Sequence, residues 1–192
     1  MGSQEDCIAL LDACVLFPAA VCDALLSVAA AGLFLPRWTA RIDDEWIGAL
    51  ARRHEVAPGT LRRPRQMQAA FPDWEVPERD WRVIEPRLSL PDATDVHVLA
   101  AAVAVRAHCI VTFNLRDFPR RLLEPFGIEP MHPDAFLSAQ WELDEEATLL
   151  AFRKMRARRR QPPLTPLAFA EAMHANGLHE IAGRLRDAAG LV

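Results

Sequence analysis

The chain has 192 residues, of which 51% are hydrophobic and 25% charged. That supports one domain of ordinary size with a small appendage and a real core, and argues against disorder. The net charge of −4 is uneven: residues 151–192 hold 8 Lys/Arg against 3 Asp/Glu, and residues 1–150 hold 14 against 23, so an acidic body with a basic tail excludes a general nucleic-acid binder.

No run approaches the ~20 apolar residues of a membrane helix. The start "MGSQEDCIALL" is acidic before a short apolar run, the wrong polarity for a secretory signal. The four cysteines, Cys7, Cys14, Cys22 and Cys109, lack CxxC spacing, so reduced thiols and a cytoplasmic location are expected. Lys154 is the one lysine and no GxxxxGK loop is present, which excludes a P-loop phosphate site.

In chain order, "CIALL" (7–11) reads as a short buried strand. It ends at Asp12, whose unpaired burial would be costly; a capped backbone, a cation or a bound metal would each relieve it. Residues 18–32 read as a helix, with Pro18 at its first position and Gly32 past its end. Residues 39–53 read as a second helix with Thr39 as N-cap. Residues 58–71 are expected to be helical, with Pro64 near the first turn. The proline-punctuated stretch 72–91 carries a helical turn around Trp81–Leu88. Residues 91–108 read as a helix with an acidic start, "CIVTF" (109–113) as a second buried strand, and "GIEPM" (127–131) as a third. Helices are expected from about Pro133 and over 143–160, broken by "QPPLTP" (161–166). Two short helices follow, separated by Asn176-Gly177.

Such alternation predicts a parallel sheet with helices on its faces. Ligands of these sheets bind at the carboxyl ends of the strands, where Asp12 and Asn114 stand. Four acidic places could feed one site: Asp12, "DDE" at 43–45, "PDATD" at 91–95 and "NLRD" at 114–117. On the 39–53 helix the apolar stripe is Ile42, Trp46, Ala49 and Leu50; Asp44 points away, and Asp43 and Glu45 flank the stripe, so periodicity leaves both open. Glu45 has the longer reach. Clustered carboxylates repel and raise one another's proton affinity, a penalty that Mg²⁺ or Mn²⁺ removes while activating water for phosphodiester hydrolysis. Each member also has a bland reading. Asp92 suits a helix N-cap, Asp95 a first-turn acid, Glu45 a solvated face, Asn114 a turn, Thr112 a strand residue, and His97 a structural core histidine.

Together, "LLDACVLFP", "DDEWIGAL", "LPDATDVHVLAAAVA" and "IVTFNLRDFP", in this order, resemble the PIN-domain ribonucleases, and most closely the VapC-type toxins of prokaryotic toxin–antitoxin pairs. The resemblance implies a three-layer α/β/α sandwich with a parallel central sheet. It places a PIN-like nuclease domain over 1–132 and a helical C-terminal extension over 133–192. It puts the first three acids on Asp12, Glu45 and Asp95, which would hold Mg²⁺ or Mn²⁺. Asn114 takes the fourth polar position with Asp117 beside it, and Thr112 matches the family's strand-end threonine. Cys14 stands where Asn or Ser often follows the first Asp, and Asn114 where many relatives carry Asp; Asp92 would compensate for the missing charge.

The implied activity is metal-dependent endoribonucleolysis of structured RNA such as tRNA, leaving a 3′-hydroxyl and a 5′-phosphate. Arg116, Arg120 and Arg121 are the expected RNA contacts, together with the basic end of the 153–160 segment. The implied partners are the RNA and a cognate antitoxin, with a homodimer allowed and no membrane. The rival reading is a non-catalytic PIN-like module that binds RNA or protein. A receiver-like phosphoryl-transfer domain is disfavoured, because residues 109–132 contain no lysine.

Overall fold

The computed structural model describes residues 7–159 and 162–192. In chain order the elements are β1 (Ile8–Leu11), α1 (Ala13–Leu16), α2 (Ala19–Ala30), β2 (Leu35–Arg37), α3 (Ala40–His54), α4 (Arg63–Ala70), α5 (Glu78–Trp81), α6 (Val96–Ala104), β3 (Cys109–Val111), α7 (Arg120–Leu123), β4 (Glu129–Met131), α8 (Pro133–Leu143), α9 (Glu145–Arg158), α10 (Pro166–Ala175) and α11 (His179–Asp187). Arg160 and Gln161, at the end of the expected 143–160 helix, lie outside the described residues.

The chain forms two compact units, one of residues up to Phe17 and Leu35–Met131, the other of Pro18–Phe34 and His132–Val192. The first holds a four-stranded sheet of order β2-β1-β3-β4, parallel throughout. The α/β class with a parallel sheet expected from the sequence is the one observed. Its central strands are short apolar runs, and Ala9, Leu10, Leu11, Cys109, Ile110 and Val111 are all buried, as strands flanked on both sides require. Register sets Leu11 beside Val111 and Val111 beside Met131. From β1 the sheet grows to β2 on one side and to β3 on the other, so the order reverses at the β1–β3 pair. The carboxyl ends of such a pair are where open α/β sheets bind ligands.

The strand β2 was not expected. It is three residues long and carries Pro36, which counts against a strand. Pro36 is tolerated because β2 is an edge; Pro130 sits in the other edge strand, β4, for the same reason.

Helix α3 begins as expected. Thr39 accepts a hydrogen bond from Ile42 N at 3.0 Å, and Ile42 and Trp46 are buried. The 91–108 segment is less regular than its periodicity suggests. Asp92 caps a 3-10 turn over Ala93–Asp95, and α6 proper runs only from Val96 to Ala104. It stops because the chain must turn into β3: Arg106 takes a left-handed φ of 53°, and Ala107 N donates back to Ala102 O at 2.8 Å.

The second unit is helical. Side-chain caps set its boundaries, Asp144 accepting from Ala147 N at 2.9 Å and Thr165 from Ala168 N at 3.2 Å. Gly177, at φ 83°, makes the turn between α10 and α11. The buried Asp134 of α8 accepts from Glu180 N and Ile181 N at 2.8 and 3.1 Å, closing the start of α11. Aromatic pairs fill the core, Phe34 edge-on to Phe136 at 4.8 Å and Phe152 to Phe169 at 6.4 Å.

Candidate active site

Asp12 directly follows β1 and is 5% exposed. Its backbone N–H donates to Val111 O at 3.2 Å, which ties it to β3. One carboxylate oxygen caps α1 by accepting from Ala13 N at 2.6 Å. The other accepts from the Thr112 hydroxyl at 2.7 Å and the Cys14 thiol at 3.0 Å. The burial of this acid is therefore offset first by local hydrogen bonds, as buried polar groups require.

Thr112 directly follows β3 and is fully buried; its hydroxyl also accepts from Asn114 N at 3.0 Å. Cys14 occupies a polar position with a sulfur. Phe113 N donates to its Sγ at 3.2 Å. Burial, followed by the charge of Asp12, pushes the thiol up to about 12, so it remains protonated and able to donate. The departure from Asn or Ser thus preserves a donor to Asp12, although a weak one.

Asp95, the last residue of the 3-10 turn, feels the charge of three of the four acidic segments. Burial first, and then the like charges of Asp12, Asp92 and Asp117, together raise its carboxyl to about 6. Asp92 is exposed and accepts from Thr94 N at 2.8 Å and from the Thr94 hydroxyl at 2.7 Å; those bonds lower its carboxyl pKa. It is the cap of its turn. Asn114 is exposed, and its carbonyl accepts from Asp117 N at 3.0 Å.

The "DDE" segment resolves into three different roles. Asp43 is buried and occupied, accepting from Trp46 Nε1 and from Gln68 Nε2, both at 2.8 Å. Asp44 is exposed. Glu45 has its side chain 41% exposed and meets Arg41 Nε at 3.6 Å and His97 Nε2 at 3.0 Å. Of the two acids that periodicity left open, Asp43 is committed to packing and Glu45 is the one available.

The three arginines separate. Arg116 is exposed in the loop after Asn114. Arg120 pairs with Glu129, the first residue of β4, whereas Asp12 follows the last residue of β1. Arg120 is therefore engaged toward the start of the strands. Arg121 is exposed at the start of α7.

The donor set is carboxylate oxygen, which suits a hard divalent cation, and the like-charge opposition at Asp95 is what such a cation would relieve. Among the described residues, no three His, Cys, Asp or Glu side chains stand together as a ready metal cage. An ion here would take most of its ligands from water, as Mg²⁺ commonly does.

Two residues carry more here than the sequence signalled. His97 lies wholly buried against Glu45, although its alanine-rich surroundings suggested only a core residue. Cys14 bonds Asp12; its spacing of two from the acid was the signal for that role.

Residues 133–187 match the VapC50 C-terminal domain family. A relative in Mycobacterium tuberculosis, named "Putative ribonuclease VapC50", is 47% identical over 79 residues, which is 41% of this chain and 47% of that protein. The match thus spans about half of that relative's length. No solved structure matches the chain. Residues 8–116, more than half of the chain, match the PIN domain family, and the chain accordingly belongs to the PIN-domain family.

Proposed function

We propose that this protein is a divalent-metal-dependent endoribonuclease of VapC type, the toxin of a toxin–antitoxin pair, acting on structured RNA such as tRNA. The observation that carries this reading is the pair of Asp12 and Asp95. One is a buried carboxylate held by two strand ends at the point where the sheet order reverses; the other resists ionisation because of burial first and then the like charges of Asp12, Asp92 and Asp117. Acids opposed in this way are typical of functional sites. The C-terminal match and the named relative support the VapC assignment.

In this reading Asp12, Glu45 and Asp95 would hold Mg²⁺ or Mn²⁺, and Asn114 or Asp117 would complete the shell through water. The cation supplies charge for the phosphodiester and lowers the pKa of a water nucleophile. The chain's own residues do the positioning. Thr112 and Cys14 hold one oxygen of Asp12 while Ala13 N holds the other, fixing its carboxylate plane. Asp95, raised to about 6 in the metal-free protein by burial and then by its acidic neighbours, would be held ionised by the cation that offsets those charges. Asn114 offers an amide to a phosphate oxygen without adding negative charge, and Arg116 meets the phosphate backbone. A cytoplasmic location, a cognate antitoxin and homodimerisation belong to the same proposal. No described helix is long and apolar enough to cross a membrane.

The test is cleavage of a tRNA pool with Mg²⁺, with Mn²⁺ and with EDTA, by wild type and Asp12→Asn. Metal-dependent cleavage lost in Asp12→Asn is expected. A second reading, a PIN-like module that binds RNA or protein without cutting it, is favoured by the absence of a preformed three-ligand cage among the described residues. RNA binding without cleavage under any metal would select it.

A further inference from the structure

A buried titratable group in the first unit stands beside the candidate site without a role assigned above. His97, in the first turn of α6, has a side chain 0% exposed. Neither of its ring nitrogens has a hydrogen-bond partner among the described residues. Folded interiors seldom leave such groups unsatisfied without a functional reason. Its Nε2 stands 3.0 Å from Glu45 Oε1, at ion-pair distance but without hydrogen-bond alignment. The two partners differ in freedom. The imidazole is enclosed, with the Trp81 ring 6.0 Å away, whereas the Glu45 side chain is 41% exposed and can turn. A small rotation of Glu45 completes the bond.

We propose that His97 is the positioning residue for Glu45: its buried ring donates from Nε2 to the Glu45 carboxylate and fixes the direction of its second oxygen. This rests on the reading of Glu45 as a metal ligand. An exposed glutamate has several rotamers, and ordering it opposes ligand binding. A donor on a rigid, buried ring removes part of that cost, as outer partners of metal-binding carboxylates do elsewhere. Arg41 is a poorer candidate. Its Nε lies 3.6 Å from the same oxygen, its side chain is 43% exposed, and its Nη1 is shared with Glu85 at 3.3 Å.

The experiment has two arms on the full chain. In the first, ¹⁵N–¹H correlation of the histidine rings, without metal, reads the tautomer of His97. The expected result is a proton on Nε2 whose resonance moves in Glu45→Ala and not in Asp44→Ala. An Nε2 that carries no proton, or a resonance indifferent to Glu45→Ala, overturns the proposal. In the second, calorimetry measures Mn²⁺ binding, where His97→Leu should weaken affinity roughly tenfold and His97→Gln, whose amide nitrogen replaces Nε2, should recover most of it. In a Glu45→Ala background His97→Leu should cost nothing further. A leucine variant that is folded by circular dichroism and binds Mn²⁺ like the wild type overturns the proposal. If the leucine variant does not fold, the first arm and the glutamine variant decide. If the wild type binds no Mn²⁺, the metal reading itself falls, and the first arm still decides whether His97 holds Glu45.

Discussion

The Thr112 hydroxyl donates to Asp12 Oδ2 at 2.7 Å across 100 residues of sequence. The two residues follow the ends of neighbouring parallel strands, and the bond is buried. The same hydroxyl accepts from Asn114 N at 3.0 Å, so one side chain links the acid of the first strand to the loop after the second.

Thr112→Val keeps the shape and deletes both bonds. It leaves Asp12 with one fewer donor and Asn114 N unpaired, a loss of about 1–3 kcal/mol of stability by urea denaturation. RNA cleavage should fall roughly ten- to a hundredfold, because an outer partner of a site carboxylate is gone. Thr112→Ser should retain most of both. A silent Thr112→Val beside a damaging Thr112→Ser would mean that the methyl group matters and the hydroxyl does not.

The thiols make a second prediction. Cys7 is lowered to about 7, first by a hydrogen bond from Cys109 and then, against burial, by the charge of His108. Cys14 is pushed up to about 12. Thiolate is the reactive form, so brief iodoacetamide treatment at pH 7.5, read by peptide mass spectrometry, should label Cys7 first and leave Cys14 unmodified. Cys14→Ser should keep cleavage, since a hydroxyl donates to Asp12 at least as well, and Cys14→Ala should lower it. Early labelling of Cys14 would show that its thiol is not held as a donor.

The parts of this molecule legible in its sequence are those that local chemistry decides. The strands ending at Asp12 and Thr112 are continuous apolar runs. The cap at Thr39 and the turn at Gly177 follow from side-chain oxygen and backbone freedom. What was illegible depends on tertiary neighbours. β2 hides behind Pro36 because edge position is a property of the sheet and not of the segment. Helical periodicity could not separate Asp43 from Glu45, because what separates them is Gln68, 25 residues away, bonding one of the two. His97 read as a core residue, and it is one; that its ring stands against Glu45 is set by the packing of α6 and α3. Helix α2 is contiguous in sequence with the PIN-like segment yet belongs to the second compact unit, which no local pattern signals.

Separate roles for Asp43 and Glu45 should appear as separate phenotypes. Asp43→Asn puts an amide N–H₂ where an oxygen accepts from Trp46 or Gln68, costing about 1–3 kcal/mol of stability with little change in cleavage per folded molecule. Glu45→Gln is expected to change stability by no more than about 0.5 kcal/mol and to remove most cleavage and Mn²⁺ affinity. The reverse pattern would assign the site acid to Asp43.

Salt dependence distinguishes the arginines. Each phosphate contact contributes about one unit to the slope of log binding constant against log salt. Arg116→Ala should reduce that slope by about one for RNA binding by catalytically inactive Asp12→Asn. Arg120→Ala should change it less, because Arg120 is paired with Glu129 near the start of β4. A slope unchanged by Arg116→Ala removes that residue from the RNA surface.

Asp95 gives the site a defined pH dependence. Its folded carboxyl is raised from 3.8 to about 6, by burial first and then by Asp12, Asp92 and Asp117. A carboxyl raised on folding favours the folded state while it is protonated in both states. That contribution is complete below the unfolded value and is lost as pH rises through the folded one. Between about pH 4 and 7 the metal-free protein therefore loses Asp95's share of stability. Asp95→Asn cannot ionise, so its melting temperature should rise relative to wild type across that window and hold a constant gap above it. Asp12→Asn should move the midpoint of this window down, because Asp12 is the largest of the like-charge causes. Added Mn²⁺ should reverse the order at pH 7.5, stabilising the wild type and not Asp95→Asn, since a ligand that binds the folded state alone adds RT ln(1 + [L]/Kd). Melting curves at pH 4.5 and 7.5, each with and without Mn²⁺, give all of these comparisons. A gap between Asp95→Asn and wild type that is the same at both pH values would mean that Asp95 ionises normally and that the acids around it do not share a site.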